Sequence, residues 1–129
     1  MPLLRFELVE GRSDEQLTAL LDASHRAMVS AFSVPESDRY QVVTQHPSSE
    51  LVIRDTGLGL TRTSHVVVLQ VFTRRRSPGQ KQRFYELLCA ELQEHCGISS
   101  DDVMVVLIEN DDVDWSFGRG RAQFITGEL

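Results

Sequence analysis

The chain repeats itself. Shifting the sequence by 64 residues lays Arg12 on Arg76, Ser13 on Ser77, Gln16 on Gln80 and Leu20 on Phe84. The same shift lays Met28 on Leu92, Val34 on Ile98, Asp38 on Asp102 and Val42 on Val106, and no gap is needed. Each copy reads as strand, helix, strand. In the first, Leu3 to Val9 and Tyr40 to His46 flank a helical pattern; in the second, His65 to Thr73 and Asp102 to Glu109 do so. A β-α-β unit of this size cannot bury its own apolar face, so it must pack on its twin. The expectation is one domain over residues 1–129, with repeats at approximately 2–47 and 65–110.

Local signals agree with that order. Ser13 is a natural N-cap, and Gln16 three residues later completes a capping box. Leu17, Leu20, Leu21, Ser24, Met28 and Phe32 then recur at helical spacing, to a helix end near Ala31 ahead of Pro35. Ser77 caps the second helix, with Pro78 at its first position, where a missing N–H does no harm. Phe84, Leu88, Leu92 and Cys96 mark one face, and Gly97 supplies the C-terminal cap. The tail "WSFGRGRAQFITGEL" bends at Gly-Arg-Gly between Phe117 and Phe124 and reads as a short hairpin. The fold class is α+β (α/β, two-layer): a mixed four-stranded sheet with two helices on one face and a C-terminal hairpin.

"VVVLQVF" and "VMVVLI" are apolar on nearly every residue, which calls for cover on both sheet faces. The helices cover one face and nothing else in the chain covers the other, so an oligomer is expected. The net charge of −6 argues against nucleic acid as a partner. No apolar run is long enough for a membrane span, and "MPLLRFELVEGR" lacks a cationic leader. A cytoplasmic location is the expectation. Cys89 and Cys96 lie two helical turns apart, about 10 Å by helical rise, too far for a bridge, and read as buried thiols. No His/Cys cluster has metal-ligand spacing, and His25, His46, His65 and His95 read as structural.

Four features could carry chemistry. Pro2 follows the initiator methionine, and small second residues usually permit its removal. A terminal Pro2 would be a secondary amine able to accept a proton, attack a carbonyl or, protonated, donate to a carbonyl oxygen. Otherwise it is a proline at a strand's first position. In "RRR", Arg74 and Arg76 alternate to one side of an extended chain and Arg75 to the other. The run sits before a helix N-terminus, which favours anions, and arginine grips carboxylates bidentately. Asp38 reads from its position as a solvated acid at a turn, and so does its counterpart Asp102. Trp115, Phe117 and Phe124 make one apolar side of the tail.

These residues resemble the tautomerase superfamily. "EGRSDEQ" after a strand opening Met-Pro is similar to its 4-oxalocrotonate tautomerase branch. The tandem repeat, "DRY" at Asp38 to Tyr40, Arg74 and Arg76, and "DWSFGRGRAQF" resemble the malonate semialdehyde decarboxylase branch over essentially the whole chain. The resemblance implies a homotrimer with Pro2 as catalytic amine. It also implies Asp38, Arg74 and Arg76 as catalytic residues, and Trp115, Phe117 and Phe124 as an apolar wall, with Leu129 a weaker member. The implied reaction is cofactor-free decarboxylation of a small 3-oxo acid, malonate semialdehyde, to acetaldehyde and carbon dioxide. The alternative on the same scaffold is a tautomerase or hydratase acting on 2-oxo, enol or acetylenic acids. The superfamily's cytokine-like branch is disfavoured, because its C-x-x-C motif is absent.

Overall fold

The computed structural model describes all 129 residues. Strand β1 (Leu3–Val9), helix α1 (Asp14–Phe32) and strand β2 (Tyr40–His46) form the first unit; β3 (Val67–Arg74), α2 (Pro78–Cys96) and β4 (Val103–Asn110) form the second. The sheet order is β2-β1-β3-β4. β1 runs parallel to β2 and β3 parallel to β4, while β1 and β3 pair antiparallel at the centre. The sheet is therefore mixed, as the sequence leads one to expect.

Both capping boxes form. Ser13 accepts the Gln16 amide at 3.2 Å and Ser77 that of Gln80 at 3.1 Å. Each cap satisfies donors that a helix start leaves without partners. Gly97 ends α2 with φ 64°, a conformation glycine adopts without steric cost. Helix α1 stops at Ser33, itself left-handed at φ 53°, two residues before Pro35.

The core lies between the helices and one sheet face. Leu4, Phe6 and Leu8 from β1, and Val67, Leu69 and Val71 from β3, meet Leu20, Met28 and Phe32 of α1 and Phe84, Leu88 and Leu92 of α2. Each such side chain contributes about 1.5–3 kcal/mol by leaving water. The Phe32 and Phe84 rings, 5.1 Å apart, join the two helices. Cys96 lies at the edge of this layer and Cys89 off its apolar face, so both thiols are half-buried rather than buried; burial still raises their pKa values.

The other sheet face is open. On it Val42, Met104, Val106 and Ile108 keep 39–45% of their surface exposed. β4 alternates strictly, so its apolar run gains cover on one side only. The expected tail hairpin is reduced to one antiparallel bridge, Gly118 to Arg121, followed by a single helical turn, α3 (Gln123–Thr126). Gln123 replaces strand pairing there: it accepts the Phe117 amide at 3.0 Å and donates to the Gly118 carbonyl at 2.9 Å.

Candidate active site

Sheet register assembles the site. Leu3 pairs with Tyr40 in the parallel direction and with Phe72 in the antiparallel one. Continued two residues beyond Leu3, the parallel register sets residue 1 opposite residue 38 (40 less 2) and the antiparallel register sets it opposite residue 74 (72 plus 2). The start of the chain thus lies between Asp38 and Arg74. Met1 and Pro2 are both buried. Pro2 stands just before the strand, so its missing N–H costs no ladder bond.

The amine at this end is strongly perturbed. Its pKa falls from 8.0 to about 6, first by burial, then by Arg76 and Arg74, with Asp38 and Asp112 pulling the other way. Four side chains, from the α1–β2 turn, the end of β3, the β3–α2 connection and the segment after β4, therefore act on one nitrogen. Asp38 is half-buried; its amide donates to Pro35 O at 2.9 Å, closing the turn that presents it.

The two arginines arrive by different routes. β3 ends at Arg74, so the simple alternation expected of an extended "RRR" does not persist. Arg74 Nη1 donates to Asp112 at 3.0 Å, and its guanidinium carbon lies 4.0 Å from the centre of the Phe124 ring. Arg76 turns back over the helix layer. Its Nε donates to Thr73 Oγ1 at 3.1 Å, its Nη1 to Phe32 O at 3.4 Å, and its guanidinium lies over the Phe32 ring. Burial and the neighbouring Arg74 lower its pKa. Arg74 Nε and Arg76 Nη2 are buried without any hydrogen-bond partner. Buried charged donors left unpaired are costly, and an incoming anion would satisfy them. Arg75, 76% exposed, pairs with Asp111 and lines the same concavity as Arg74 and Arg76.

The aromatics gather beside the arginines. Trp115 stacks on Phe117 at 5.4 Å, Phe117 meets Phe124 edge-on at 5.4 Å, and Tyr40 lies 5.6 Å from Phe117. Asn110 holds the indole N–H at 2.6 Å. Leu129 stays 60% exposed, its amide donating to Gln123 O. An open concavity of about 480 Å³ runs past Arg74, Arg76, Asn110 and Asp112.

Sequence reasoning missed Thr73, Asn110 and Asp112, which support the arginines and the indole, and Tyr40 as a wall residue. Pairing of Asp112 with Arg74 spans 38 residues and left no local signal; the alternation of Tyr40 within β2 could have placed it. Asp102 is also not the solvated acid expected: it is 2% exposed and accepts from the amide and hydroxyl of Thr63. Of the histidines, His25 bonds Glu36 O at 2.7 Å and His46 bonds Glu7.

A family model described as tautomerase enzyme matches residues 38–118, and a second of the same description matches residues 2–61. The chain belongs to the tautomerase family. The chain is 53% identical to probable tautomerase YrdN of Bacillus subtilis (strain 168) over the whole of both chains. Among solved structures it matches a malonate semialdehyde decarboxylase described as having decarboxylase and hydratase activities, at 59% identity and TM-score 0.97 over 98% of each chain. A second malonate semialdehyde decarboxylase, inhibited by 3-bromopropiolate, matches at 41% identity and TM-score 0.94, over 98% of this chain and 97% of that one. A fused 4-OT, an asymmetric trimer, shares the fold at 22% identity and TM-score 0.76, over 96% and 98% of the two chains.

Proposed function

We propose that this protein decarboxylates malonate semialdehyde to acetaldehyde and carbon dioxide without a cofactor, using the Pro2 amine that removal of Met1 uncovers. The observation that carries the reading is the pair of unpartnered guanidinium donors, Arg74 Nε and Arg76 Nη2, beside the buried chain terminus. Likeness to two malonate semialdehyde decarboxylases over nearly the whole chain supports the choice of substrate.

Removal of Met1 moves the terminal nitrogen one residue along, about 3.8 Å between α-carbons. It stays within the same group of charges. The substrate carboxylate takes the free donors of Arg74 and Arg76. Its negative charge then offsets the arginine field that disfavours the ammonium, which shifts the amine toward its protonated form. Cationic Pro2 donates to the aldehyde oxygen. As the C–C bond breaks, its electron pair flows into the carbonyl to give the enolate of acetaldehyde, and carbon dioxide leaves. A proton taken up from solvent at the carbanionic carbon completes acetaldehyde, and Pro2 keeps its own. A preorganised donor at the developing enolate oxygen contributes about 3 kcal/mol. Equal grip on the carboxylate in ground and transition states accelerates nothing, so the arginines serve to orient the bond that breaks. Trp115, Phe117 and Phe124 keep water from the departing carbon dioxide.

Hydration of acetylenic acids is the second reading, favoured by Asp38. That carboxylate is half-buried with no side-chain partner and is free to activate water. The open face bearing Val42, Met104, Val106 and Ile108 supports assembly as a homotrimer.

The experiment is turnover of malonate semialdehyde by protein whose intact mass confirms loss of Met1, with acetaldehyde and carbon dioxide measured together. Pro2→Ala is expected to retain the fold and lose decarboxylation. Near-normal turnover by that variant would overturn the reading.

A further inference from the structure

The internal repeat gives the candidate site a counterpart. By the 64-residue shift, Arg76 corresponds to Arg12, Met1 to His65 and Phe32 to Cys96. The Phe32 ring lies 4.9 Å from the Arg76 guanidinium and fills the space beside it. At the corresponding place stands the smaller Cys96, and a pocket of about 190 Å³ opens among Arg12, Gln16, Ala19, His65, Cys96 and Ile98.

Arg12 is half-buried; its Nη2 donates to the His65 carbonyl at 2.6 Å, and the buried Asp102 carboxylate favours its charge without forming a salt bridge. Nη1 and Nε remain available. His65 and His95 stand at the rim, and no carboxylate lines this pocket. Glu10, which takes the place of Arg74, lines an adjoining concavity that shares Arg12, Gln16 and His65 with this pocket. His95 faces Glu91 and Glu94, of which Glu91 is already held by Arg26 at 3.0 Å. Ala19, Cys96 and Ile98 make an apolar floor.

We propose that this pocket binds a short-chain monocarboxylate, with Arg12 gripping the carboxylate and the floor taking the alkyl body. A phosphate would leave the floor empty. The site lies at the α1 start and α2 end, apart from the Pro2 end of the sheet, and does not depend on the Pro2 reading.

The test is an amide NMR titration of the Met1-free protein with propionate replacing chloride at constant ionic strength. Saturable shifts at His65, Gly97 and Ile98 are expected in the wild type. They persist in Arg76→Gln and weaken at least about tenfold in Arg12→Gln, the loss of one charged hydrogen bond. Ala19→Leu fills the pocket without touching the bond from Arg12 to His65 and is expected to abolish them. The proposal is overturned if the wild-type shifts do not saturate, or if either pocket variant binds propionate as the wild type does. Loss of decarboxylation alone would bear on Pro2 and leave these shifts in place.

Discussion

Thr73 is a threonine with a positioning task. It is fully buried, and its hydroxyl donates to Arg74 O at 2.9 Å while accepting from Arg76 Nε at 3.1 Å. Thr73→Val keeps the shape and removes the hydroxyl. Arg76 is then left with the 3.4 Å bond to Phe32 O and the aromatic contact, and two of its three nitrogens lack partners. A hydrogen bond to a charged group is worth about 1.5–3 kcal/mol. At a urea dependence of about 1–3 kcal/mol per molar, that loss lowers the unfolding midpoint by roughly 1 M. If the bond also fixes the guanidinium for substrate, kcat/KM for malonate semialdehyde falls roughly 10–150-fold. Acetaldehyde formation coupled to an NADH-dependent reductase reads the rate. Thr73→Ser restores the hydroxyl and is expected to recover most of it. A drop in midpoint with kcat/KM within about twofold of wild type, or a serine variant as slow as the valine one, would refute the positioning role.

Two further outcomes follow from the same structure. In protein that retains Met1, the amine titrates at about 6 because burial and the arginines disfavour its charge. An anion bound to those arginines raises that value, so binding takes up a proton above about pH 6 and none well below it, where the amine is charged in both states. Calorimetry with trifluoroacetate in buffers of different ionisation enthalpy measures this; proton release, or no buffer dependence at neutral pH, contradicts it. Val106→Asp sets a carboxylate on the open sheet face, where burial of an unpaired charge in an interface costs several kcal/mol. Light scattering is expected to show three times 14.6 kDa for the wild type and a monomer for the variant.

Strands and helix starts were legible because their signals are local. β1 and β2 have the ends that alternation gives, and both serine caps act as their spacing implies. β3 and β4 each lie one or two residues later than their apolar runs suggest, since hydrogen bonding to the partner strand, rather than hydropathy, sets where a strand starts and stops. The tail was misread for a related reason: a glycine bend between aromatics announces a turn, yet the Gln123 side chain takes over the bonding a second strand would have made. Pro2, Asp38, Arg74 and Arg76 were nameable from sequence, but their meeting depends on two registers at once. Thr63 and Asp102, 39 residues apart, show the limit, for nothing in a single sequence ties a turn threonine to a distant acid.

A polypeptide has a single amino terminus. Two β-α-β units joined head to tail hold two corresponding corners, yet at the second the backbone runs on through His65 and Val66. No proteolytic trimming at Met1 can supply an amine there. Fusion thus decides the stoichiometry of the reacting group, one per chain, whatever assembly the sheets make. It also frees the corner without an amine from matching its twin, and the exchange of Arg74 for Glu10 and of Phe32 for Cys96 is what that freedom looks like.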